Sequence, residues 1–480
     1  MTAANDVSSE PMLRSFRDPA GTVLRYHNRI LRAVNPEGAA DLEAFLSTRM
    51  AREAMESGSL VRSVRLLPNE LPNLEFKTDY VLEHERVPFP NYPYEWPPEM
   101  LHAAGALTIG LARRALAEGF GLKDATPYNV LFRGPQPVFV DVLSFERREP
   151  LDAAWMAYAQ FVRTFLLPLL ANRSFGLPLD HILSGHRDGL EPETMYRWAG
   201  FWRRLAPQFL ELVTLPTWLG RRRKDDASLY HSKPAASSEQ AHFIVDGLLK
   251  SCERGLAAVA PGKSNADSTW SGYLDRKSIY TPAQLARKEA FVSAALAVAK
   301  PQTVLDVGAN EGHFSFLAAK GGASVVAIDS DPVVAGSIWR QASRARLNVL
   351  PLVADFTRPT PAVGWRNQEC ASFLERARDG FDMVMMLGVV HHMLVTERIP
   401  LGDLLDLAGE LTREYVLIEF VAPEDPMFQR IVRGREGLYS HLTNTGFEEA
   451  AGSCFDLETS VRIEGLYRWL YLFRRRRAKH

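Results

Sequence analysis

The chain of 480 residues holds only three cysteines, Cys252, Cys370 and Cys454. Their wide and irregular spacing supplies neither a disulfide framework nor a cysteine-based zinc site, and it fits a reducing compartment. The segment Met1–Pro11 is polar and lacks the apolar core of a signal peptide. We therefore predict a cytoplasmic protein without a bound metal.

Long apolar runs and an excess of charge are also missing. The run Phe161–Leu170 is too short to span a membrane and predicts a buried helix. With 56 basic and 57 acidic residues the net charge is −1, which gives no argument for nucleic acid or for an acidic membrane surface. For the basic clusters Arg221–Lys224 and Arg474–Arg477, a solvated face or chain end is favoured over a phosphate site. The length predicts at least two domains.

In the segment Val304–Ser315 an apolar run ends in an acid, a short glycine-bearing loop follows, and an amphipathic segment then begins. This order predicts a strand, a tight turn and a helix start, where open α/β sheets hold nucleotide-like ligands. The apolar run Ser324–Asp329 follows and also ends in a carboxylate. An acid at the tip of a second strand can accept hydrogen bonds from both hydroxyls of a ribose.

The spacing of the glycines distinguishes between nucleotides. A dinucleotide loop reads G-x-G-x-x-G, whereas here Gly308 and Gly312 flank Asn310, and His313 takes the place of the last glycine. Together with Asp306, the pattern resembles motif I of class I S-adenosylmethionine (SAM) methyltransferases, D-x-G-x-G-x-G. Asparagine tolerates left-handed backbone angles, so we expect the turn to survive. An ordinary strand-to-helix turn is the alternative.

Further apolar runs follow in the order that this family shows: Asn348–Asp355, Phe381–Gly388, Tyr415–Val421 and Tyr467–Phe473. Segments of helical period, such as Leu401–Thr412, separate them, which predicts a doubly wound parallel sheet with helices on both faces. The last run is expected to be an antiparallel strand. The resemblance covers residues 280–480 and implies a Rossmann-like α/β fold.

The resemblance implies S-adenosyl-L-methionine as the cofactor. Asp306 would hold its amino group, Asp329 its ribose and Asp355 its adenine amine, although a helix cap or a loop acid is an alternative for Asp355. The backbone of motif I would lie against the methionine portion, and the end of the fourth strand would line the methyl group. The predicted cofactor-binding residues are Asp306, Gly308, Asn310, Gly312, Asp329, Asp355, Leu387 and Gly388.

Candidate catalytic residues follow the fourth and fifth strands. His391 and His392 stand where the acceptor meets the methyl group in this family, and a neutral imidazole could take the proton of a hydroxyl acceptor. A packing histidine is an equal alternative, and which of the two acts stays open. Glu419 is a second candidate base or substrate-orienting residue. Tyr280 and Lys288 lie on the approach to motif I.

The N-terminal half carries a second constellation. A helical stretch, Pro98–Glu118, precedes a loop with Asp124 and Asn129, and Asp141 follows two β-like runs. This spacing resembles the catalytic loop and metal-binding segment of kinase-like phosphotransferases. The resemblance implies that Asp124 orients a hydroxyl and that Asn129 and Asp141 bind Mg²⁺, a hard cation that takes oxygen ligands.

The departures from the kinase pattern predict a degenerate domain of α+β class. Lys123 replaces the usual histidine or tyrosine, Asp141 is followed by Val142-Leu-Ser, and no glycine-rich phosphate loop is visible. Mg²⁺ and ATP would be cofactors only if this site were active. A helix cap and hairpin with incidental acids is the alternative.

The predicted organisation is an N-terminal domain over residues 1–245, a helical connector over 246–282 and a methyltransferase domain over 283–480. Tyr92–Pro97, the loop Lys123–Asn129 and the segment His231–Lys233 resemble a bacterial family of nodulation-type, NoeA-like methyltransferases with such an N-terminal region.

The predicted function is SAM-dependent methyl transfer to an unidentified acceptor, such as a hydroxyl of a glycan or of a small metabolite. Two alternatives stay open. One is a bifunctional kinase-methyltransferase that acts on a surface polysaccharide, and the other is a non-catalytic SAM-binding scaffold. Neither the acceptor nor the oligomeric state follows from the sequence.

Overall fold

The computed structural model describes residues 18–72, 78–222, 234–262, 280–439 and 441–476. The segment His231–Lys233 and residues 263–279 of the predicted connector lie outside these ranges. No helix in the described ranges is both long enough and apolar enough to cross a membrane.

A small antiparallel sheet opens the chain. Its strands pair in the order β1-β2-β4-β3, and two helices, α1 (Pro36–Leu46) and α2 (Arg49–Glu56), connect the second strand to the third. Pro36 at the first position of α1 suits a helix start. A backbone N–H has no acceptor within the helix at that position, so proline, which lacks an N–H, loses no hydrogen bond there. The strands are β1 (Gly21–Tyr26), β2 (Arg29–Val34), β3 (Ser63–Arg65) and β4 (Val81–His84).

A mainly helical part follows, and the 20-residue helix α3 (Pro98–Ala117) lies at its centre. Two short strand pairs flank the predicted loop: β5 (Phe120–Leu122) with β8 (Phe145–Arg147), and β6 (Val130–Arg133) with β7 (Gln136–Phe139). The remaining helices are α4 (Tyr158–Phe161), α5 (Leu167–Phe175), α6 (Leu179–Gly185), α7 (Pro192–Trp198), α8 (Phe201–Arg204), α9 (Pro207–Phe209), α10 (Leu215–Arg222) and α11 (Ser238–Ala258).

Helix α11 packs on α3 and continues the N-terminal half. Its buried residues Val245, Leu249, Cys252 and Leu256 recur at helical spacing and join the core that α3 also enters. Residue 245, the predicted domain boundary, therefore lies inside a helix with one continuous buried face. The change to the second sheet comes after residue 262.

The C-terminal part is a seven-stranded sheet with the order β11-β10-β9-β12-β13-β15-β14. The first five strands of this order run parallel, and β15 runs antiparallel to both neighbours. The six strands expected from the sequence are present, and β14 is an addition. The strands are β9 (Thr303–Val307), β10 (Ser324–Asp329), β11 (Val349–Val353), β12 (Phe381–Met386), β13 (Thr412–Val421), β14 (Phe455–Arg462) and β15 (Arg468–Arg475).

Helices cover both faces of this sheet, as its almost wholly apolar central strands require. On one face Val304 and Val325 pack in a cluster with Val292 of α12; on the other, Leu305 and Val326 join the core of the N-terminal half. The helices are α12 (Pro282–Ala299), α13 (His313–Lys320), α14 (Pro332–Ala345), α15 (Phe373–Ala377), α16 (Val390–Val395), α17 (Leu401–Leu411), α18 (Pro426–Val432) and α19 (Asn444–Ala451).

A buried ion pair joins the two halves. The guanidinium of Arg376, on α15, bonds both carboxylate oxygens of Glu95, and its Nη1 also donates to the carbonyl oxygen of Pro90 at 2.6 Å. Thr360 Oγ1 donates to Glu95 Oε1 at 2.5 Å. Glu95 is fully buried and Arg376 nearly so, and the guanidinium also lies over the Phe89 ring. The segment Tyr92–Pro97 thus forms part of the contact between the halves.

We predict that Glu95→Ala destabilises the protein by about 3 kcal/mol or more, because it leaves the Arg376 cation buried without its partner. Thermal unfolding followed by circular dichroism would measure the loss as a fall in the midpoint. The control is Glu410→Ala, which breaks an ion pair with Arg378 that is exposed on both sides. Exposed pairs contribute about 1 kcal/mol or less, so equal midpoints in the two variants would contradict the prediction.

Candidate functional site

A crevice of about 320 Å³ opens at the carboxyl ends of the parallel strands. This is the edge where open α/β sheets bind ligands, because the strand order reverses on either side of β9. All the predicted cofactor-binding residues except Gly312 line it, together with His392, Tyr280, Lys288 and Arg468.

The loop after β9 has the left-handed backbone that motif I predicts. Gly308, Asn310 and Gly312 have φ angles of 69°, 48° and 81°. A Cβ at Gly308 would collide with the side chain of Val389, and one at Gly312 would lie 2.9 Å from Ile338 Cγ1. Asn310 adopts the angle that asparagine tolerates, so the expectation for this substitution is confirmed.

Asp329 connects this loop to the tip of β10. Its Oδ2 accepts a hydrogen bond from the backbone N–H of Asn310 at 2.9 Å, and its Oδ1 accepts one from the N–H of Asp331 at 3.0 Å. Each carboxylate oxygen has a second lone pair, which suits a pair of ribose hydroxyls. Burial raises the pKa of Asp329 above its usual value.

Asp306 is buried at the end of β9, where Ser315 Oγ on α13 donates to its Oδ2 at 2.5 Å. Burial raises the pKa of Asp306 to about 6, even though Ser315 and the charge of Lys288 both oppose the rise. A nearby cation stabilises the charged form of a buried carboxylate, and the ammonium group of an amino-acid ligand would be such a cation.

Asp355 follows β11 and closes a local turn, since its Oδ1 accepts from the N–H and the hydroxyl of Thr357, at 2.8 and 2.6 Å. Asp355 therefore lies in a turn and caps no helix, as the alternative of a loop acid predicts, and the residue also lines the crevice. Leu387 and Gly388 line it from the end of β12.

The residues present fit an adenosyl cofactor. A carboxylate lies at the tip of the second strand, and Asn310 Oδ1 is buried without a hydrogen-bond partner in the described part of the chain. A buried acceptor of this kind is costly unless a ligand or water satisfies it.

Glu419 lies in a buried ionic cluster. Lys288 Nζ is 2.5 Å from its Oε2, Arg468 Nη1 is 3.3 Å from its Oε1, and the Tyr280 hydroxyl donates to Oε1. Burial by itself would raise the pKa of Glu419, but Lys288 and Arg468 outweigh it and lower the pKa to about 2. A carboxylate held in this way is a poor proton acceptor near neutral pH, which argues against Glu419 as the base.

The sequence did not indicate two members of this cluster, Arg468 and Asp425. Arg468, the first residue of β15, donates from Nε and Nη2 to Asp425 at 2.9 and 3.0 Å, and both side chains are buried. Nothing in the local pattern indicates their role, because the two residues are 43 positions apart and meet only when β15 pairs with β13.

The two histidines differ in their surroundings. His392 lines the crevice, whereas His391 is buried beside it and has no hydrogen-bond partner for either ring nitrogen among the described residues. Burial lowers the pKa of both, and that of His391 falls well below its usual value, so His391 is neutral. The rings lie 4.3 Å apart, centroid to centroid.

In the N-terminal half the three predicted kinase-like residues do come together. Asn129 Nδ2 donates to the carbonyl oxygen of Asp124 at 3.2 Å and to Ser144 Oγ at 3.3 Å. Ser144 Oγ in turn donates to Asp141 Oδ2 at 2.5 Å. Burial, followed by the charge of Asp141, raises the pKa of Asp124.

Arg32 on β2 occupies the cation's place at this cluster. Its Nη1 lies 2.6 Å from Asp141 Oδ1, and the Arg32 side chain is buried. Burial alone would raise the pKa of Asp141, but Arg32 and Ser144 bring it below its usual value. The buried guanidinium of Arg32 would repel a second cation at Asp141, so the residues present do not fit a magnesium ion. The kinase-like assignment stays a prediction.

We predict that millimolar Mg²⁺ and ATP leave the thermal midpoint of the wild-type protein unchanged, because Arg32 already neutralises Asp141. Arg32→Ala should cost about 3 kcal/mol, and Mg²⁺ should restore part of the loss by binding the freed carboxylate. The double variant Arg32→Ala/Asp141→Asn is the control and should not respond to Mg²⁺. Stabilisation of the wild type by Mg²⁺ that Asp141→Asn abolishes would refute this account.

Comparison with known proteins identifies proteins that this chain resembles. No protein-family model matches the chain. Among solved structures, the N-methyltransferase NodS from Bradyrhizobium japonicum WM9 is similar at 13% identity and a TM-score of 0.31, over 41% of this chain and 98% of that one. Magnesium protoporphyrin IX methyltransferase (ChlM) from Synechocystis PCC 6803 is similar at 16% identity and 0.29, over 40% and 84%.

Nodulation protein NoeA of Rhizobium meliloti (strain 1021) is 30% identical over 464 residues, which span 96% of this chain and 95% of NoeA. The match covers both halves and not only the second sheet. The chain therefore belongs to the NoeA family.

Proposed function

We propose that the chain is a SAM-dependent methyltransferase that methylates a hydroxyl of a glycan or of a small metabolite. The observation that carries the proposal is the left-handed loop Gly308–Gly312 joined by the Asn310 N–H to the carboxylate of Asp329. The loop allows a ligand to approach the backbone closely, while the acid supplies two acceptors for a diol. This combination suits an adenosyl group.

The bound cofactor would supply a methyl group that is already activated as a sulfonium. The protein therefore has to align the methyl donor with the acceptor and to exclude water from them. In this proposal Asp306 holds the cofactor's amino group and Asp329 the ribose hydroxyls. Lys288 and Arg468, both anchored on Glu419, line the same crevice and would favour a carboxylate there. Asp355 would accept from the adenine amine.

His392 is the better placed of the two histidines to accept the proton of the acceptor hydroxyl. It lines the same crevice as Gly388, and its lowered pKa keeps the imidazole neutral and able to take a proton. His391, whose ring packs against the ring of His392, would hold that ring in position. Glu419 would position Lys288 and Arg468 and not transfer a proton, because these two cations hold its own pKa low.

The pairing of Arg32 with Asp141 gives no support to a second, phosphotransferase activity. A non-catalytic scaffold would bind the cofactor and transfer nothing. Labelled methyl transfer into fractionated cell extract separates this alternative from the proposal: incorporation that requires Asp329 supports methyl transfer, and binding without incorporation into any fraction supports a scaffold.

We predict that Asp329→Ala weakens binding of S-adenosylhomocysteine on the order of a hundredfold, because a charged acceptor of two hydrogen bonds is removed. Isothermal titration calorimetry would measure the change. Asp403→Ala, on the exposed side of α17, is the matched control and should bind as the wild type does. Unchanged affinity in Asp329→Ala would reject the predicted cofactor site.

The pKa of Asp306 predicts how this affinity changes with pH. Folding raises this pKa to about 6, so the carboxylate loses its charge as the pH falls through that value. Affinity for the homocysteine ammonium should therefore decrease below about pH 6 in the wild type. Asp306→Asn should bind weakly and without this pH step. A wild-type profile that is flat between pH 5 and 7 would contradict the role of Asp306.

His392→Asn should lower the rate of methyl transfer on the order of a hundredfold and leave cofactor affinity unchanged, because only the proton acceptor is lost. His391→Asn is the comparison and should retain most of the activity. If His391→Asn is the slower variant, the assignment of the two histidines is reversed.

A further inference from the structure

Helices α7 to α10 expose an unusual number of aromatic side chains. In the described part of the chain eighteen large hydrophobic residues are exposed, and seven of them lie between residues 198 and 219. Trp202 is 82% exposed and Phe201 66%. Isolated exposed apolar residues are ordinary, but a contiguous group of them marks an interaction surface.

Ring contacts connect several of these residues to one another or to common neighbours. Phe201 and Trp202 lie edge to face, with their centroids 5.3 Å apart. The next residue, Arg203, lies over the ring of Phe175 at 4.9 Å, and Phe175 contacts Trp198 edge to face at 6.2 Å.

Helix α10 extends the same surface. Trp218 Nε1 donates to the Tyr196 hydroxyl at 3.3 Å, and the guanidinium of Arg204 lies 3.9 Å from the Tyr196 ring centroid. Leu219, next to Trp218, is more than half exposed. We call this surface the tryptophan face and define it by Trp198, Phe201, Trp202, Trp218 and Leu219.

The tryptophan face carries positive charge in a chain whose net charge is −1. Among the side chains described between residues 192 and 220 are three arginines, Arg197, Arg203 and Arg204, and two glutamates. One of these acids, Glu211, accepts a hydrogen bond from Ser251 on α11 at 3.1 Å. Although the net charge of the whole chain is close to zero, cations are locally in excess beside the exposed aromatic rings.

We propose that the tryptophan face docks the protein peripherally on an anionic phospholipid bilayer. Tryptophan rings prefer the headgroup level of a membrane, where one side of the ring is apolar and the other wet. Basic residues beside them are attracted to an anionic membrane surface. A second copy of the chain is a poorer occupant, since an isologous contact would bring the same arginines face to face.

Sedimentation of the full-length protein with vesicles tests this proposal. The wild type should sediment with phosphatidylcholine vesicles that contain phosphatidylglycerol, and high salt should weaken the binding by screening. The double variant Phe201→Ser/Trp202→Ser should lower this partitioning on the order of tenfold or more. Both side chains are exposed, so its thermal midpoint should match that of the wild type.

Trp365→Ser is the matched control, because Trp365 is as exposed as Phe201 but lies between β11 and β12. It should sediment as the wild type does. Quenching of tryptophan fluorescence by brominated lipid, reduced in the double variant, would place the face at the bilayer. No sedimentation of the wild type, sedimentation independent of anionic lipid, or an equal loss in Trp365→Ser would overturn the proposal. So would a wild-type dimer that the double variant converts to a monomer, because a second copy would then occupy the face.

Discussion

The candidate site depends on one hydrogen bond, from the backbone N–H of Asn310 to the carboxylate of Asp329. It ties the loop after the first parallel strand to the tip of its neighbour. The loop can make this bond only because Gly308, Asn310 and Gly312 accept left-handed backbone angles. Asp329 thus has two tasks, since the acid proposed for the ribose also holds the loop in the shape that admits the ligand.

Buried charge is concentrated behind the crevice, where Glu419 links Lys288 and Arg468 and Arg468 also binds Asp425. Taking ions out of water is costly, and such clusters are retained where geometry is complete and each charge has a partner. Here the cluster holds two cations at the wall of the crevice. The same two cations lower the pKa of Glu419, which argues against the predicted role of Glu419 as a base.

The N-terminal half is part of the same folded body as the second sheet. One face of that sheet packs into a core that extends through α3 and α11, and the buried pair of Glu95 and Arg376 lies where the halves meet. Within the N-terminal half, Arg32 satisfies Asp141 as a bound cation would. These contacts give the region a structural role that does not require phosphate chemistry, and they are consistent with a family match that spans nearly the whole chain.

The sequence by itself determined the second sheet and its loop. Apolar runs that end in acids, and glycines with one asparagine at fixed spacing, are local patterns, so Asp306, Asn310 and Asp329 could be found from them. Only the tertiary structure decided what distant partners do to a residue. Three bonded pairs join residues that are far apart in the chain and meet only through strand pairing and domain packing. They are Asp425 with Arg468, Arg32 with Asp141, and Glu95 with Arg376. The pKa of a carboxylate and the exposure of Trp202 depend on those surroundings, because burial and charge act through space.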